Sequence, residues 1–272
     1  YTAEGRTVLA SIYRGYLDIG KESGHPMIVL APTWRASPTR LAAAGLGSVE
    51  RVNRDCVEFL SSIRDEYRDF VGSVFVGGLM GCAGNAYRPE EALSAEEAET
   101  FHRPQAEALA RSGVDFLMAS TIPAATEAIG IARAMSGAGC PYVVSYIVRG
   151  NGTLLDGTPL AQTIGTIDSE VTPKPFFYMV NCVHPLVYEQ AISQPDTDSV
   201  TVRERVLGLQ ANASWKSPEE LEGLEYLDSE EPEAFAESMV RVHDRLGTKV
   251  LGGCCGTDHR HIRCIAELLE RK

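Results

Sequence analysis

Seven short apolar stretches alternate with helical patterns along this chain of 272 residues, and this alternation predicts an α/β fold with a parallel sheet. The stretches are apolar on both faces, as strands covered by helices on both sides are. No G-x-G-x-x-G or Walker sequence follows any of them, which argues against a nucleotide-binding doubly wound sheet. We therefore predict a (β/α)₈ TIM barrel. No linker, repeat or low-complexity segment interrupts residues 1–272, so we predict one barrel domain.

The first half of the chain is expected to supply three strands. Apolar residues at helical spacing predict a helix over 7–23, and Gly24 ends it. A buried strand over 27–31 follows and stops at Pro32. The capping box of Ser94 and Glu97 starts a helix that runs to about 112. The remaining elements predicted here are helices over 38–44 and 48–67, a strand over 73–77 that opens into a glycine-rich loop, and a strand over 114–119.

The second half is expected to supply four more strands, over 142–147, 176–181, 204–210 and 249–252. The predicted helices lie at 124–135, 159–166, just after Pro185, near 217, at 235–246 and at 262–269. Seven strands result, whereas a barrel of this type has eight. Because the chain opens on a helix, we expect the first strand of the barrel to lie upstream of Tyr1.

Composition excludes several classes of function. The formal net charge is -12, and binding to a phosphate backbone needs a basic face, so no nucleic-acid partner is expected. No apolar run approaches the roughly 20 residues of a membrane span, and no basic amphipathic stretch suggests a membrane surface. Seven cysteines are too sparse for a secreted disulfide framework. With no signal peptide at the start, they indicate reduced thiols and a cytoplasmic protein.

Two predicted strands end at cysteine. The strand at 176–181 is followed by Cys182, and the strand at 249–252 leads to Cys254 and Cys255. The carboxyl ends of barrel strands meet at one mouth, so the three sulfurs are expected to converge. Three sulfur ligands without an obvious fourth are typical of catalytic zinc, which keeps one position open for a substrate. We therefore predict a Zn²⁺ site.

Other interpretations of these residues remain. Adjacent side chains of an extended strand point to opposite faces, so Cys254 and Cys255 reach one ion only if the backbone turns, which the neighbouring glycines permit. Those glycines suit a phosphate loop as well, although no hydroxyl or basic partner is close in sequence. His184 is a rival ligand, but Pro185 indicates that it has left the strand. His259 and His261 are predicted to be solvated positions at the start of the last helix. The remaining cysteines are predicted to be structural or incidental: Cys56, Cys82, Cys140 and Cys264.

The most specific motifs are Val-Asn-Cys at 180–182 and Gly-Gly-Cys-Cys-Gly at 252–256, with the length of chain between them. Three further stretches add to them: 36–46, the helix with Phe101 and His102, and 155–160. Together they cover nearly the whole chain and resemble the homocysteine S-methyltransferase family. The resemblance implies a (β/α)₈ barrel with zinc held by Cys182, Cys254 and Cys255. In that family the acceptor thiol completes the zinc tetrahedron and attacks a methyl group on a sulfonium, quaternary ammonium or folate donor.

Parts of the family pattern differ here. An Asp-Gly segment that helps to bind homocysteine has no match, and the expected upstream strand would carry it. The family has a glutamate at the end of the strand predicted over 114–119, where it binds the substrate amine. In this chain Ser120 takes the place of that glutamate. The predicted pocket residues are Thr33, Ser120, Thr121 and Asn181, with Asn181 open to a second interpretation as a packed strand-end amide. A thiol without the ammonium group of homocysteine is an alternative acceptor.

Three functional hypotheses follow. The first is a zinc-dependent methyltransferase with a small-molecule thiol acceptor and a small donor such as S-methylmethionine or S-adenosylmethionine, since no corrinoid or folate module is expected. The second is a non-catalytic zinc-binding barrel that acts as a sensor or carrier. The third is a redox protein that uses Cys254 and Cys255 as a dithiol, with activity that survives chelators.

Overall fold

A computed structural model of the chain describes residues 2–70, 74–195, 200–221 and 223–271. Its centre is a sheet of seven parallel strands that lie side by side in the order of the sequence. The strands are β1 (Met27–Leu30), β2 (Val74–Met80), β3 (Phe116–Ile122), β4 (Tyr142–Tyr146), β5 (Phe177–Asn181), β6 (Val206–Ala211) and β7 (Val250–Gly253).

Helices connect successive strands and cover the outside of the sheet. They are α1 (Ala3–Ser23), α2 (Pro38–Ala44), α3 (Val49–Arg64), α4 (Ala95–Arg111), α5 (Ala125–Gly137), α6 (Leu160–Glu170), α7 (Pro185–Ile192), α8 (Val200–Arg205), α9 (Pro218–Leu221), α10 (Pro232–Leu246) and α11 (His259–Glu270). The predicted capping box at the start of α4 is confirmed, with Ser94 and Glu97 bonded reciprocally. None of the described helices is long and apolar enough to cross a membrane.

The sheet curls into a half-barrel. Parallel strands in sequential order are typical of a barrel, whereas a doubly wound sheet reverses its order at a switch point. The helix before β1 and the helix after β7 meet, because Arg263 on α11 pairs with Glu22 on α1 at 2.7 Å. Within the described ranges no eighth strand joins β7 to β1. The eighth strand upstream of Tyr1 therefore stays a prediction.

Strand β2 runs further than the sequence indicated. We predicted a loop from Gly77 onward, but the strand continues through Gly77 and Gly78 to Met80; Ser73, the predicted first residue, lies outside the described ranges. A β-carbon on Gly77 would lie 2.6 Å from the Leu30 side chain and 2.7 Å from the Phe116 ring. Glycine is present here because both neighbouring strands pack against its backbone.

Strand β3 also differs from its prediction, in a way that matters for the site. It begins at Phe116 and ends at Ile122, so Ser120 and Thr121 lie within the strand and not beyond it. Thr121 has a left-handed φ of 66°, and the register with β4 shifts between Ala119 and Ile122. A β-branched residue at positive φ is strained, which indicates that its surroundings hold it there.

The third difference concerns the weak strand predicted over 204–210. Its first two residues form the end of α8, and β6 begins at Val206.

The two faces of the sheet carry separate apolar clusters. Met118, Val143 and Met179 pack together on one face, and the larger core lies between the other face and the helices. This two-sided burial explains why the strands are apolar throughout.

Candidate metal centre

The first sulfur of the site stands at the end of β5. Cys182 follows Asn181 directly and has a left-handed φ of 57°, while its backbone N–H donates to the carbonyl of Gln210 on β6 at 3.1 Å. Its side chain is buried, with 5% of its surface exposed. The left-handed backbone turns the chain out of the strand immediately, and α7 begins three residues later.

The other two sulfurs follow β7. The N–H of Cys254 donates to the carbonyl of Ala211 at 2.7 Å, and the N–H of Cys255 donates to Oδ1 of Asn212 at 3.1 Å. The chain then turns, with the N–H of Thr257 bonded to the carbonyl of Cys254 and Gly256 at a φ of 80°. This is the sharp turn that the glycine-flanked pair predicted, and the left-handed residue in it is Gly256.

The structure brings the three sulfurs of Cys182, Cys254 and Cys255 together, within 4.8 Å of one another. The Sγ atoms of Cys182 and Cys254 are 2.9 Å apart, longer than the roughly 2.05 Å of a disulfide bond, and all three cysteines are free thiols. Exposure rises across the group, from buried Cys182 through half-buried Cys254 to exposed Cys255. The cluster is therefore reachable from the mouth of the half-barrel.

The three thiols ionise unequally because they share hydrogen bonds. Bonds from Cys182 and Cys254 lower the pKa of Cys255 to about 3. The pKa of Cys254 is raised well above its usual value by its bonds to Cys182 and Cys255 and by burial. For Cys182, the bond with Cys254 lowers the pKa, but the bond with Cys255 and burial outweigh it and raise the pKa to about 12. One thiolate forms readily, and further thiolates need a cation to offset their repulsion.

This donor set fits a metal ion. Thiolates select soft or borderline ions such as zinc, and binding releases the thiol protons. Potential metal ligands in the described residues are the side chains of histidine, cysteine, aspartate and glutamate. Among them, these three cysteines lie close enough together to share one ion. Three protein ligands leave one corner of a tetrahedron for a further ligand.

The rival ligand His184 is turned away from the sulfurs. Its Nε2 lies 3.1 Å from the Glu230 carboxylate, its Nδ1 accepts from the N–H of Leu186, and its ring stacks on Trp215 at 3.8 Å. His184 has left the strand, as Pro185 indicated.

The prediction that His261 is solvated is wrong, since this residue is 2% exposed and forms a capping box with Asp258 at the start of α11.

Asn181 and Thr121 form one buried network. The side-chain oxygen of Asn181 accepts from the N–H of Thr121 at 3.0 Å and from the hydroxyl of Ser145 at 2.6 Å, and its amide donates to the Thr121 hydroxyl at 2.9 Å. These bonds hold Thr121 in its left-handed conformation. Asn181 is fully buried, as the interpretation of a packed strand-end amide requires.

The two remaining predicted pocket residues are also engaged within the protein. The hydroxyl of Thr33 is buried and donates to the carbonyl of Leu79 at 2.7 Å. The hydroxyl of Ser120 lies 3.3 Å from that of Thr121, and its carbonyl accepts from the indole N–H of Trp34. Substrate contacts of Thr33, Ser120, Thr121 and Asn181 stay predictions.

Sequence reasoning missed Tyr87, which lies in the loop after β2. Its hydroxyl is 3.9 Å from the sulfur of Cys182, and burial together with the thiolates of Cys182 and Cys255 raises its pKa. The signal that points to it is its position, because the loops after barrel strands line the mouth. Nothing in the residue types around Tyr87 marks it out.

A buried hydrogen-bonded pair under this loop was missed as well. Nε2 of His102 lies 2.9 Å from Oε1 of Glu127, and the same oxygen accepts from the N–H of Ala83. Both side chains are fully buried. The pair therefore anchors the start of the loop that carries Tyr87.

A curled parallel sheet with three thiols at the carboxyl ends of two strands defines a barrel-type protein with a cysteine cluster that could hold a metal ion. A family model described as homocysteine S-methyltransferase matches residues 3–269. The chain belongs to the homocysteine S-methyltransferase family and is a methyltransferase.

Two curated relatives carry the same description. Homocysteine S-methyltransferase YbgG of Bacillus subtilis (strain 168) is 26% identical over 258 residues, which covers 83% of this chain and 73% of the relative. Homocysteine S-methyltransferase of Escherichia coli (strain K12) is 26% identical over 166 residues, which covers 57% of this chain and 53% of the relative.

Solved structures share the fold. The homocysteine methyltransferase MmuM from Escherichia coli in its metallated form matches with a TM-score of 0.77 at 21% identity, over 98% of this chain and 86% of that one. Its oxidized form matches with a TM-score of 0.76 at 22% identity, over 99% and 86% of the two chains. The half-barrel is therefore the fold of a barrel-like methyltransferase.

Proposed function

We propose that this chain transfers a methyl group from a small sulfonium donor to homocysteine or a related thiol, with zinc held by Cys182, Cys254 and Cys255. The observation that carries the proposal is the meeting of these three sulfurs within 4.8 Å in a chain of this family. The relatives named for methyl transfer to homocysteine support the acceptor. The metallated form of the Escherichia coli enzyme supports a metal.

Zinc held by the three cysteines would lower the pKa of an acceptor thiol. A free thiol with a pKa near 8.5 is only about 3% thiolate at pH 7. Lowering that pKa below 7 is worth roughly 2 kcal/mol of ionisation. A thiolate that is stabilised in this way is also less nucleophilic, so the protein must contribute by holding the acceptor sulfur in line with the methyl carbon.

The exchange of bonds is simple. The acceptor sulfur forms a bond to the methyl carbon, and the bond between that carbon and the donor sulfonium breaks. The electron pair of the broken bond stays on the donor sulfur, which leaves as a neutral thioether. With homocysteine as the acceptor the product is methionine.

The charge of the site favours a cationic donor. Three cysteine thiolates and an acceptor thiolate would carry a net charge of about -2 together with a divalent ion, and this charge would attract a sulfonium group at close range. S-methylmethionine and S-adenosylmethionine both carry such a group. Burial of Cys182, at 5% exposure, reduces the screening of this attraction by water.

The non-catalytic sensor or carrier is less well supported, because the family and both curated relatives are methyltransferases. Zinc content does not separate the two hypotheses, since both bind the ion. Methylated product does. A redox dithiol built from Cys254 and Cys255 predicts activity that survives chelation, and this outcome separates it from both.

The test is a matrix of donors and thiols with protein of known metal content. S-methylmethionine and S-adenosylmethionine are each paired with homocysteine and with thiols that lack its ammonium or carboxylate group, and methylated thiols are measured by mass spectrometry. We expect about one zinc ion per chain and a methylated thiol with at least one pair. Absence of product with every pair would overturn the transferase, and full turnover in chelated protein would overturn the role of zinc.

A further inference from the structure

A cleft of about 610 Å³ has Tyr87, a neighbour of the Cys182 sulfur, in its wall. Its walls come from the segment after β1, the loop after β2 and helix α4, and they include Arg35, Arg40, Tyr87, Glu91 and Phe101. Tyr87 joins the cleft to the metal centre, because its hydroxyl lies 3.9 Å from the sulfur of Cys182. A molecule whose sulfur reaches the centre can therefore extend past Tyr87 into this cleft.

Two guanidinium groups face the cleft without a carboxylate partner. Within the described ranges, neither Arg35 nor Arg40 has a carboxylate oxygen within 4.0 Å. The acidic residue of the cleft, Glu91, accepts from the N–H of Asn85 at 2.8 Å and lies 3.8 Å from Arg88. The cleft is thus locally positive in a chain whose formal net charge is -12.

Arg35 is held in place by an aromatic ring. Its guanidinium carbon lies 4.4 Å from the centre of the Trp34 ring, and the Trp34 indole donates to the carbonyl of Ser120 on β3. Gly81 makes room for that indole, since a β-carbon at this position would lie 2.7 Å from Cδ1 of Trp34. A guanidinium fixed by stacking loses less entropy when it binds an anion.

Arg40 is held by the loop after β2. Its Nη2 donates to the carbonyls of Ala83 at 2.7 Å and Gly84 at 3.0 Å, and the N–H of Ala83 is fixed by Glu127. Burial and the neighbouring charge of Arg35 lower the pKa of the Arg40 guanidinium. Two like charges brought together in this way are stabilised by an anion between them.

We propose that Arg35 and Arg40 bind the carboxylate of an amino-acid substrate whose sulfur reacts at the metal centre. The inference rests on the proposed function and adds the part of the substrate that this chain recognises. Homocysteine and S-methylmethionine both carry a carboxylate a few bonds from the reacting sulfur, so the ligand chemistry is shared by acceptor and donor. Planar guanidinium groups suit a carboxylate because they offer paired N–H donors. Phe101 provides an apolar wall for the methylene groups between carboxylate and sulfur.

The test compares each substrate with its decarboxylated analogue. Calorimetric titrations measure the Kd of homocysteine against aminopropanethiol, and of S-methylmethionine against the aminopropyl dimethylsulfonium ion, in metal-loaded wild type and in Arg35→Gln. Arg35 is chosen because, within the described ranges, it makes no hydrogen bond to the rest of the protein. Arg40→Lys is the second variant. The control is Arg263→Gln, because Arg263 pairs with Glu22 on α1 and does not line the cleft.

We expect wild type to prefer at least one carboxylate compound over its analogue by about 10-fold or more, as a charge-assisted pair provides. Arg35→Gln should remove that preference, and the pair in which it disappears identifies acceptor or donor as the source. Arg263→Gln should retain it. The inference is overturned if wild type prefers neither carboxylate compound, or if Arg35→Gln and Arg40→Lys both retain the full preference.

Failure of the proposed function gives a different pattern. If wild type forms no methylated thiol but shows a carboxylate preference that depends on Arg35, the proposed methyltransferase activity is overturned and the carboxylate site is supported. A wild type that forms methylated thiol, while Arg35→Gln and Arg40→Lys both keep the full carboxylate preference, would support the transferase and overturn the carboxylate site.

Discussion

Two clusters of polar side chains stand at the same edge of the sheet and differ in how their hydrogen bonds are used. In the first, the backbone N–H groups of Cys182, Cys254 and Cys255 bond to the β6 strand and the residue after it, while the sulfurs face one another and the mouth. In the second, the Asn181 side chain makes two hydrogen bonds with Thr121 and accepts one from Ser145. The first cluster has its reactive atoms available to a ligand, whereas the second uses them to hold the backbone.

This difference indicates a division of labour between neighbouring residues. Asn181 and Cys182 are adjacent in the chain, yet the amide points into the network with β3 and the sulfur points to the centre. The network fixes the strand end from which Cys182 departs with its left-handed φ of 57°. Substitutions in the thiol cluster should therefore remove chemistry, and substitutions in the amide network should first remove stability.

The largest effect is expected from Cys254→Ser. A serine hydroxyl stays protonated at neutral pH and is a poor zinc ligand, so the variant should lose its metal and more than about 100-fold of its methyl-transfer rate. Elemental analysis and product formation measure the two losses. Cys264→Ser replaces a half-buried thiol of α11 outside the cluster and should keep both properties; turnover by metal-free Cys254→Ser would contradict the assignment.

Asn181→Ala should destabilise the fold by about 2–4 kcal/mol, because it leaves buried groups unpaired and releases the strained Thr121. Urea unfolding gives the change in free energy. Ser145→Ala removes one of the same bonds and should cost about 1 kcal/mol. If Asn181→Ala instead raised the KM for the acceptor and left stability unchanged, Asn181 would be a substrate ligand in the way the sequence first suggested.

Gly81→Ala should cost about 1–3 kcal/mol, since the added methyl group would push against the Trp34 indole and disturb the seat of Arg35. The matched control is Gly165→Ala, an exposed position of α6 where an added β-carbon meets nothing within 4 Å. That change should be neutral or stabilising by up to about 1 kcal/mol. Equal destabilisation of the two variants would argue against the packing of Trp34 on Gly81.

The smallest effect is expected from Tyr87→Phe. Loss of the hydroxyl next to Cys182 should lower kcat/KM by about two- to tenfold, as removal of one hydrogen bond does. Tyr67→Phe removes a hydroxyl bonded to Asp18, away from the centre, and serves as the control. A larger loss of activity in Tyr67→Phe than in Tyr87→Phe would show that the contact with sulfur contributes nothing.

Much of the frame could be predicted from the sequence because it depends on local patterns. The apolar runs, the capping box at Ser94 and the stop at Pro32 placed seven strands in parallel order, and the predicted ends differ by more than one residue only for β2, β3 and β6. The thiol positions followed from the same frame. A residue directly after a strand must lie at the carboxyl edge, so Cys182, Cys254 and Cys255 could be expected to meet before any coordinates were known.

The tertiary structure alone decided which polar groups remain available there. Thr121 and Asn181 are 60 residues apart in the chain, and their pairing depends on a register shift in β3 that no local pattern marks. No local pattern marks the contact of Tyr87 with Cys182 either. Nor does one mark the stacking of Arg35 on Trp34, whose indole fits because position 81 is glycine. Hydrogen bonds and close packing between distant segments depend on the exact register of the strands. Sequence periodicity indicates which face a residue takes, but not which distant side chain it meets there.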